Sequence, residues 1–152
     1  MNRIIGACIA ALLCAAQAWA GDVAVSDAWT RATVPGQSSA VLRFFITSRK
    51  DAQLLEISSP LAGAAELHSM THEQGVMKMR PLKSLPLPAG KKTELGSDGN
   101  HVMLLELKQS LKEGESVPFS LTVQFADKHK ETVKAAAVVK PLDESGHHHH
   151  SH

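Results

Sequence analysis

Cysteine is nearly absent from this sequence: two occur in 152 residues, Cys8 and Cys14, and both lie within the first twenty. From residue 21 onward the chain can form no disulfide and offers no thiolate as nucleophile or metal ligand. Any metal held there depends on histidine, methionine or carboxylate. An excess of either charge is also lacking. The formal net charge is +1, and Arg3 is the one charged residue among the first twenty, which leaves 15 basic against 15 acidic residues in the remainder. A balanced chain gives no electrostatic footprint for nucleic acid or an anionic membrane. Neither G-x-S-x-G nor H-E-x-x-H occurs, so a hydrolase finds no support. What is present is ordinary for one globular domain, with 43% apolar and 20% charged residues. The apolar residues recur in dense short runs, which argues against a disordered chain.

The first twenty residues, MNRIIGACIAALLCAAQAWA, combine Arg3, an apolar stretch from Ile4 to Ala16, and the small-x-small end Ala18-Trp19-Ala20. This is the pattern of a cleavable secretory signal, with the mature chain expected to start at Gly21 and to reach the periplasm. Thirteen apolar residues fall short of the ~20 that a helix needs to span a bilayer. Cys14 follows Leu12 and Leu13 rather than small residues, so no lipid or other membrane anchor is expected. The mature chain of ~130 residues is long enough to bury an adequate core without covalent staples.

Beyond the signal, apolar residues alternate with period two, and no long helical stripe appears. Ala40, Leu42, Phe44 and Ile46 face one way, with Arg43 and Thr47 opposite. Val117, Phe119, Leu121, Val123 and Phe125 alternate with Pro118, Ser120, Thr122 and Gln124. A polar turn at Asp127–Lys130 then leads to Val133, Ala135, Ala137 and Val139, the pattern of a hairpin. Further strands are expected at Val23–Thr30, Gln53–Ile57, Ala64–Met70, Val76–Met79 and His101–Leu107. Turn signals at Pro35-Gly36, Ser58-Ser59-Pro60, Pro88-Ala89-Gly90, Gly96–Gly99 and Gly114 separate them. Seven or eight short strands spaced in this way predict an all-β antiparallel sandwich spanning residues 21–142.

The chemistry is concentrated in one window. All four methionines after the signal, Met70, Met77, Met79 and Met103, fall in the 36 residues from His68 to Met103, together with His68, His72 and His101. Singly, each has an ordinary explanation as core filling or surface. Strand geometry strengthens the joint case, because residues two apart share a face and lie about 7 Å apart. His101 projects with Met103, and Met77 with Met79. Imidazole and thioether form a soft, neutral donor set suited to Cu(I), whereas zinc prefers Cys, His or carboxylate, and magnesium and calcium take oxygen.

The spacing His68-x10-Met79-x21-His101-x-Met103 resembles the H(M)x10Mx21HxM signature of the periplasmic copper chaperone family PCu(A)C. Similar surroundings include Glu66-Leu67-His68, Gly75–Arg80, Leu85–Gly90, His101–Leu104 and the early Ala28-Trp29-Thr30-Arg31. The likeness extends over most of residues 23–140. It implies a cupredoxin-like Greek-key sandwich holding one Cu(I) at an exposed site, with His68, Met79, His101 and Met103 as ligands. It also implies delivery to the CuA centre of cytochrome c oxidase, in some systems with a Sco-like thioredoxin-fold partner. Departures from the pattern are Ser69 at the optional methionine, Ser97-Asp98 and Gly99-Asn100 before the second histidine, and Phe44-Phe45 and Ser48 for a more usual Tyr and Asn. Met70, His72 and Met77 stand as candidate auxiliary ligands.

The C-terminal residues 143–152 end in GHHHHSH, five histidines counting His152. Such tracts bind Cu(II), Zn²⁺ or Ni²⁺ by composition; the tail reads as a native extension, with an added purification tag as the alternative, and capture of Cu(II) is the role hypothesised for it. A blue-copper electron carrier is excluded because its site needs a cysteine. A histidine-brace oxygenase would need histidine at the mature N-terminus, where Gly21 stands. The competing function is a periplasmic metal buffer or copper-resistance protein with no dedicated acceptor.

Overall fold

A computed structural model describes residues 19–96 and 99–142. Of the expected signal segment, residues 1–20, the first eighteen lie outside the described residues, as does the histidine tail, residues 143–152. Among those described there is no helix, and no helix long and apolar enough to cross a membrane. The strands are β1 (Trp19–Ala20), β2 (Val23–Arg31), β3 (Ala40–Ser48), β4 (Ala52–Ser58), β5 (Ala62–Glu73), β6 (Val76–Pro81), β7 (Leu85–Leu87), β8 (Thr93–Leu95), β9 (Asn100–Leu107), β10 (Ser116–Phe125) and β11 (Lys130–Lys140).

They form one continuous hydrogen-bonded path in the order β6-β5-β9-β3-β2-β11-β10-β4-β7, with β1 on β2 and β8 on β3. The path bends back on itself, so that β3 and β10, three places apart, face each other across the core. Phe44 and Phe119 meet there with ring centroids 5.3 Å apart. The alternation read from the sequence sets this up: Leu42, Phe44, Ile46, Val117, Phe119, Leu121 and Val123 are all essentially inaccessible to solvent. Burial of each such side chain contributes about 1.5–3 kcal/mol.

The all-β, cupredoxin-like class expected from the sequence is the one observed. Two details differ. The described residues form eleven strands rather than seven or eight, because β1, β7 and β8 have only two or three residues, too few to display an alternation. The sheet is also mixed, not wholly antiparallel, since β2 and β11 run parallel from Trp29↔Val138 to Arg31↔Lys140. Pro86 in β7 is tolerated because, among the described residues, that strand pairs only with β4, at the end of the path.

Three local features place the site. The β5–β6 hairpin closes through Gln74 and Gly75, both at positive φ (51° and 77°), between paired Glu73 and Val76. That is the geometry of a two-residue type I′ turn. Among the described residues β6 pairs only with β5, and it is solvent-exposed along its whole length, so the hairpin forms the margin of the described sheet. On the other side of the site, Gly96 adopts φ 108°, and a Cβ added there would collide with the Arg43 side chain, which donates to the Gly96 carbonyl. Gly96→Ala is therefore expected to destabilise the domain by about 1–3 kcal/mol, seen as a lowered thermal midpoint.

The fourth histidine outside the tail, His129, is remote from these elements. It stacks on Phe125 at 4.5 Å and hydrogen-bonds Asp127 in the β10–β11 turn. Hydrogen bonds from the His129 ring and backbone hold the Asp127 carboxyl below its ordinary range.

Candidate metal centre

β5, β9 and β6 are adjacent strands, and their registers gather the sulfur and imidazole groups on one face. His68 is paired with His101, and Glu66 with Met103. Across the hairpin, Met70 is paired with Met79 and His72 with Met77. Directly paired residues share a face, and so do residues two apart. His68, Met70, His72, Met77, Met79, His101 and Met103 therefore all stand on the sheet's outer face. The intervening Leu67, Val102 and Leu104 point into the core. This division explains how strands built for the core also carry a row of soft donors.

Met79, His101 and Met103 line one groove of about 250 Å³, together with Met70, Val41, Arg43 and Gly96. His68 is not part of that lining. It stands beside it, with its ring edge-on to His101 at a centroid separation of 5.6 Å. The structure thus brings three of the four expected ligands into one groove and sets the fourth against it. Of the auxiliary candidates, Met70 joins the lining, while His72 and Met77 lie farther out along the hairpin. Met70 was legible as a candidate. Arg43 was legible only as an outward-facing residue of β3.

The donors differ in exposure. His101 is only 5% exposed, although it belongs to the outer face. Met103 shares its strand, in the middle of the sheet. Met79, on the margin, is 48% exposed. Just before β9, Gly96 N–H donates to the Asn100 carbonyl (2.9 Å) and Met70 N–H to the Gly99 carbonyl (2.9 Å).

His68 is oriented by a carboxylate. Its Nε2 lies 2.7 Å from Glu66 Oε2, and its buried Nδ1 has no hydrogen-bond partner among the described residues. A buried, unpaired ring nitrogen is costly unless something binds it. With Nε2–H donating to Glu66, Nδ1 carries a lone pair, the arrangement by which a carboxylate fixes a metal-ligating histidine. Among the described residues no three His, Asp or Glu side chains gather into a metal site, so a bound ion here needs the thioethers. Arg43 puts a cation at the groove's edge, where it donates to the Gly96 carbonyl and lies 5.1 Å from the centre of the Trp29 ring. Arg31 and Lys140 approach the same ring at 5.1 and 4.1 Å. A fixed positive charge disfavours a dication more than a monocation.

Residues 23–137 match the family described as "Putative lipoprotein LpqE-like". This chain belongs to the LpqE-like family. A relative named "Putative lipoprotein Lxx21020", from Leifsonia xyli, is 32% identical over 109 residues, which cover 71% of this chain and 64% of that protein. The chain thus spans under two thirds of that relative's length. Among solved structures, apo-DR1885 from Deinococcus radiodurans is 31% identical, with a TM-score of 0.58 and coverage of 93% of this chain and 94% of that one. The apo PCuAC domain of PmoF1 superposes with a TM-score of 0.61 at 21% identity, over 80% of this chain and 96% of that domain. The last comparison carries the fold alone. The likeness to the PCu(A)C family read from the histidine–methionine spacing holds for this LpqE-like chain.

Proposed function

We propose that this LpqE-like chain is a periplasmic copper chaperone. It binds one Cu(I) through His68, Met79, His101 and Met103 and hands it to the CuA centre of cytochrome c oxidase, with a Sco-like protein as a further partner. The observation that carries this reading is the meeting of three thioethers, those of Met70, Met79 and Met103, and a buried imidazole in one groove, beside a second imidazole whose Nδ1 is buried and unpartnered. These donors are neutral and soft, as Cu(I) prefers. The relative DR1885, 32% identical where its CuI form covers 74% of this chain, has been solved as CuI-DR1885. Export fits the apolar first twenty residues and the lipoprotein naming of the relative. The tail's histidines serve as a Cu(II)-capturing segment.

In this reading copper is cargo, and the chain catalyses no reaction. His101 and Met103, on a central strand, act as the fixed pair. Met79, exposed on the margin, is the ligand that yields first. An acceptor thioether or imidazole reaches the ion from that side and takes Met79's place before the remaining bonds break. The copper is then never released to water. Glu66 holds His68 in the binding tautomer. Glu66→Ala is expected to weaken Cu(I) binding about 10–100-fold while leaving the thermal midpoint almost unchanged, as measured by chelator competition and thermal unfolding.

Mixing the Cu(I)-loaded chain anaerobically with an apo CuA domain tests the delivery function. Transfer of the single tightly bound ion supports the chaperone. Several ions per chain with no transfer would identify a buffer instead.

A further inference from the structure

The donor face of the β5–β6 hairpin does not end at the groove. Its cross-strand pairs run outward in sequence: His68 with Pro81, Met70 with Met79, then His72 with Met77 beside the Gln74-Gly75 turn. The last pair has no part in the function described above. Met77 is 55% exposed and His72 is also exposed, so both are open to an ion arriving from solvent. The hairpin's register does not depend on them. On the opposite face Glu73 pairs with Lys78 and Arg80, each at 3.0 Å.

Directly opposed residues place their Cβ atoms about 4.5–5.5 Å apart, a gap that one Cu(I) can close with an imidazole nitrogen on one side and a thioether on the other. The next pair inward, Met70 and Met79, is about 7 Å away along the strands, and both of its sulfurs belong to the groove lining. No large rearrangement is needed for a sulfur of the inner pair to reach an ion held by the outer one.

We propose that His72 and Met77 form a second, weaker Cu(I) site, from which the ion passes inward to the groove. The inference rests on the groove being a Cu(I) site. The passage is a ligand exchange: a bond from the Met79 or Met70 sulfur to copper forms, then the bond from Met77 breaks, and finally the bond from His72. Copper stays in the +1 state throughout, and the exchange needs no electron donor or acceptor. Two donors against four account for the order of affinity. Stepwise replacement lets the weak site fill first in time and the strong site fill last.

The test is a methyl NMR titration of the full chain labelled at the methionine Cε carbons, with Cu(I) added anaerobically as its acetonitrile complex. The first equivalent is expected to shift Met79 and Met103. Between one and two equivalents the Met77 methyl and the His72 ring protons should shift together. His72→Ala should abolish the Met77 response and leave those of Met79 and Met103 intact, with the backbone amide shifts of Glu73 and Lys78 reporting that the hairpin is still formed. A Met77 methyl unmoved through two equivalents, while Met79 and Met103 respond, overturns the outer site and leaves the groove reading standing. An undiminished Met77 shift in the His72→Ala chain overturns the pairing. If neither the Met79 nor the Met103 methyl moves, the groove reading fails and the outer site falls with it.

Discussion

Truncation of His101 to alanine is expected to abolish tight Cu(I) binding while leaving the domain folded. His101 is the most buried of the four proposed ligands. It stands on β9, between β5 and β3, so its position is fixed by neighbours on both sides. No nearby imidazole can take its place, since His68 is already a ligand and His72 lies toward the hairpin tip. Loss of a partner that merely orients a ligand costs about 10–100-fold in affinity, and loss of a ligand itself should exceed the upper end of that range. A hundredfold loss corresponds to about 2.8 kcal/mol of binding energy. The effect on folding should be smaller, about 1–2 kcal/mol, because the side chain projects from the outer face while Val102 and Leu104 hold β9 against the core. Chelator competition and thermal unfolding on the same variant separate the two effects.

The largest effect on folding is expected from Phe119→Ala. Phe119 is 1% exposed and packs on Phe44 where the bent sheet meets itself. The change removes a ring from the contact between β10 and β3 and leaves a cavity walled by strands that cannot close in, which costs about 3–5 kcal/mol. For a domain of this length that corresponds to a fall in melting temperature of about 10–20 °C. The groove lies on the other face, so the Cu(I) affinity of the fraction still folded should match that of the parent.

These two residues also show what the sequence disclosed and what it withheld. Phe119 was legible as core because Val117–Phe125 alternates without interruption, and a half-buried strand displays its buried face in that way. His101 was legible as a ligand candidate because Met103, two residues on, shares its face. Pairing between strands is long-range information, and a single sequence does not carry it. The register that sets His68 against His101 and Met70 against Met79 could not be read, nor could the parallel contact of β2 with β11. In the sequence nothing sets Glu66 apart from an ordinary solvated carboxylate two residues before His68. Its role became visible only when the His68 ring was seen to point one nitrogen at the carboxylate and leave the other unpaired. Arg43 is a further case, since its place at the groove depends on the glycine at position 96 and on Trp29, in a different strand.

The central claim is that four residues of this face hold one Cu(I). Its most direct test is an anaerobic Cu(I) titration against a chromophoric chelator, comparing residues 21–142 with the Met79→Leu/His101→Ala double variant of the same span. The account predicts a single tight site in the parent and its loss in the variant, with both proteins folded. Tight binding that survives the double substitution would contradict it.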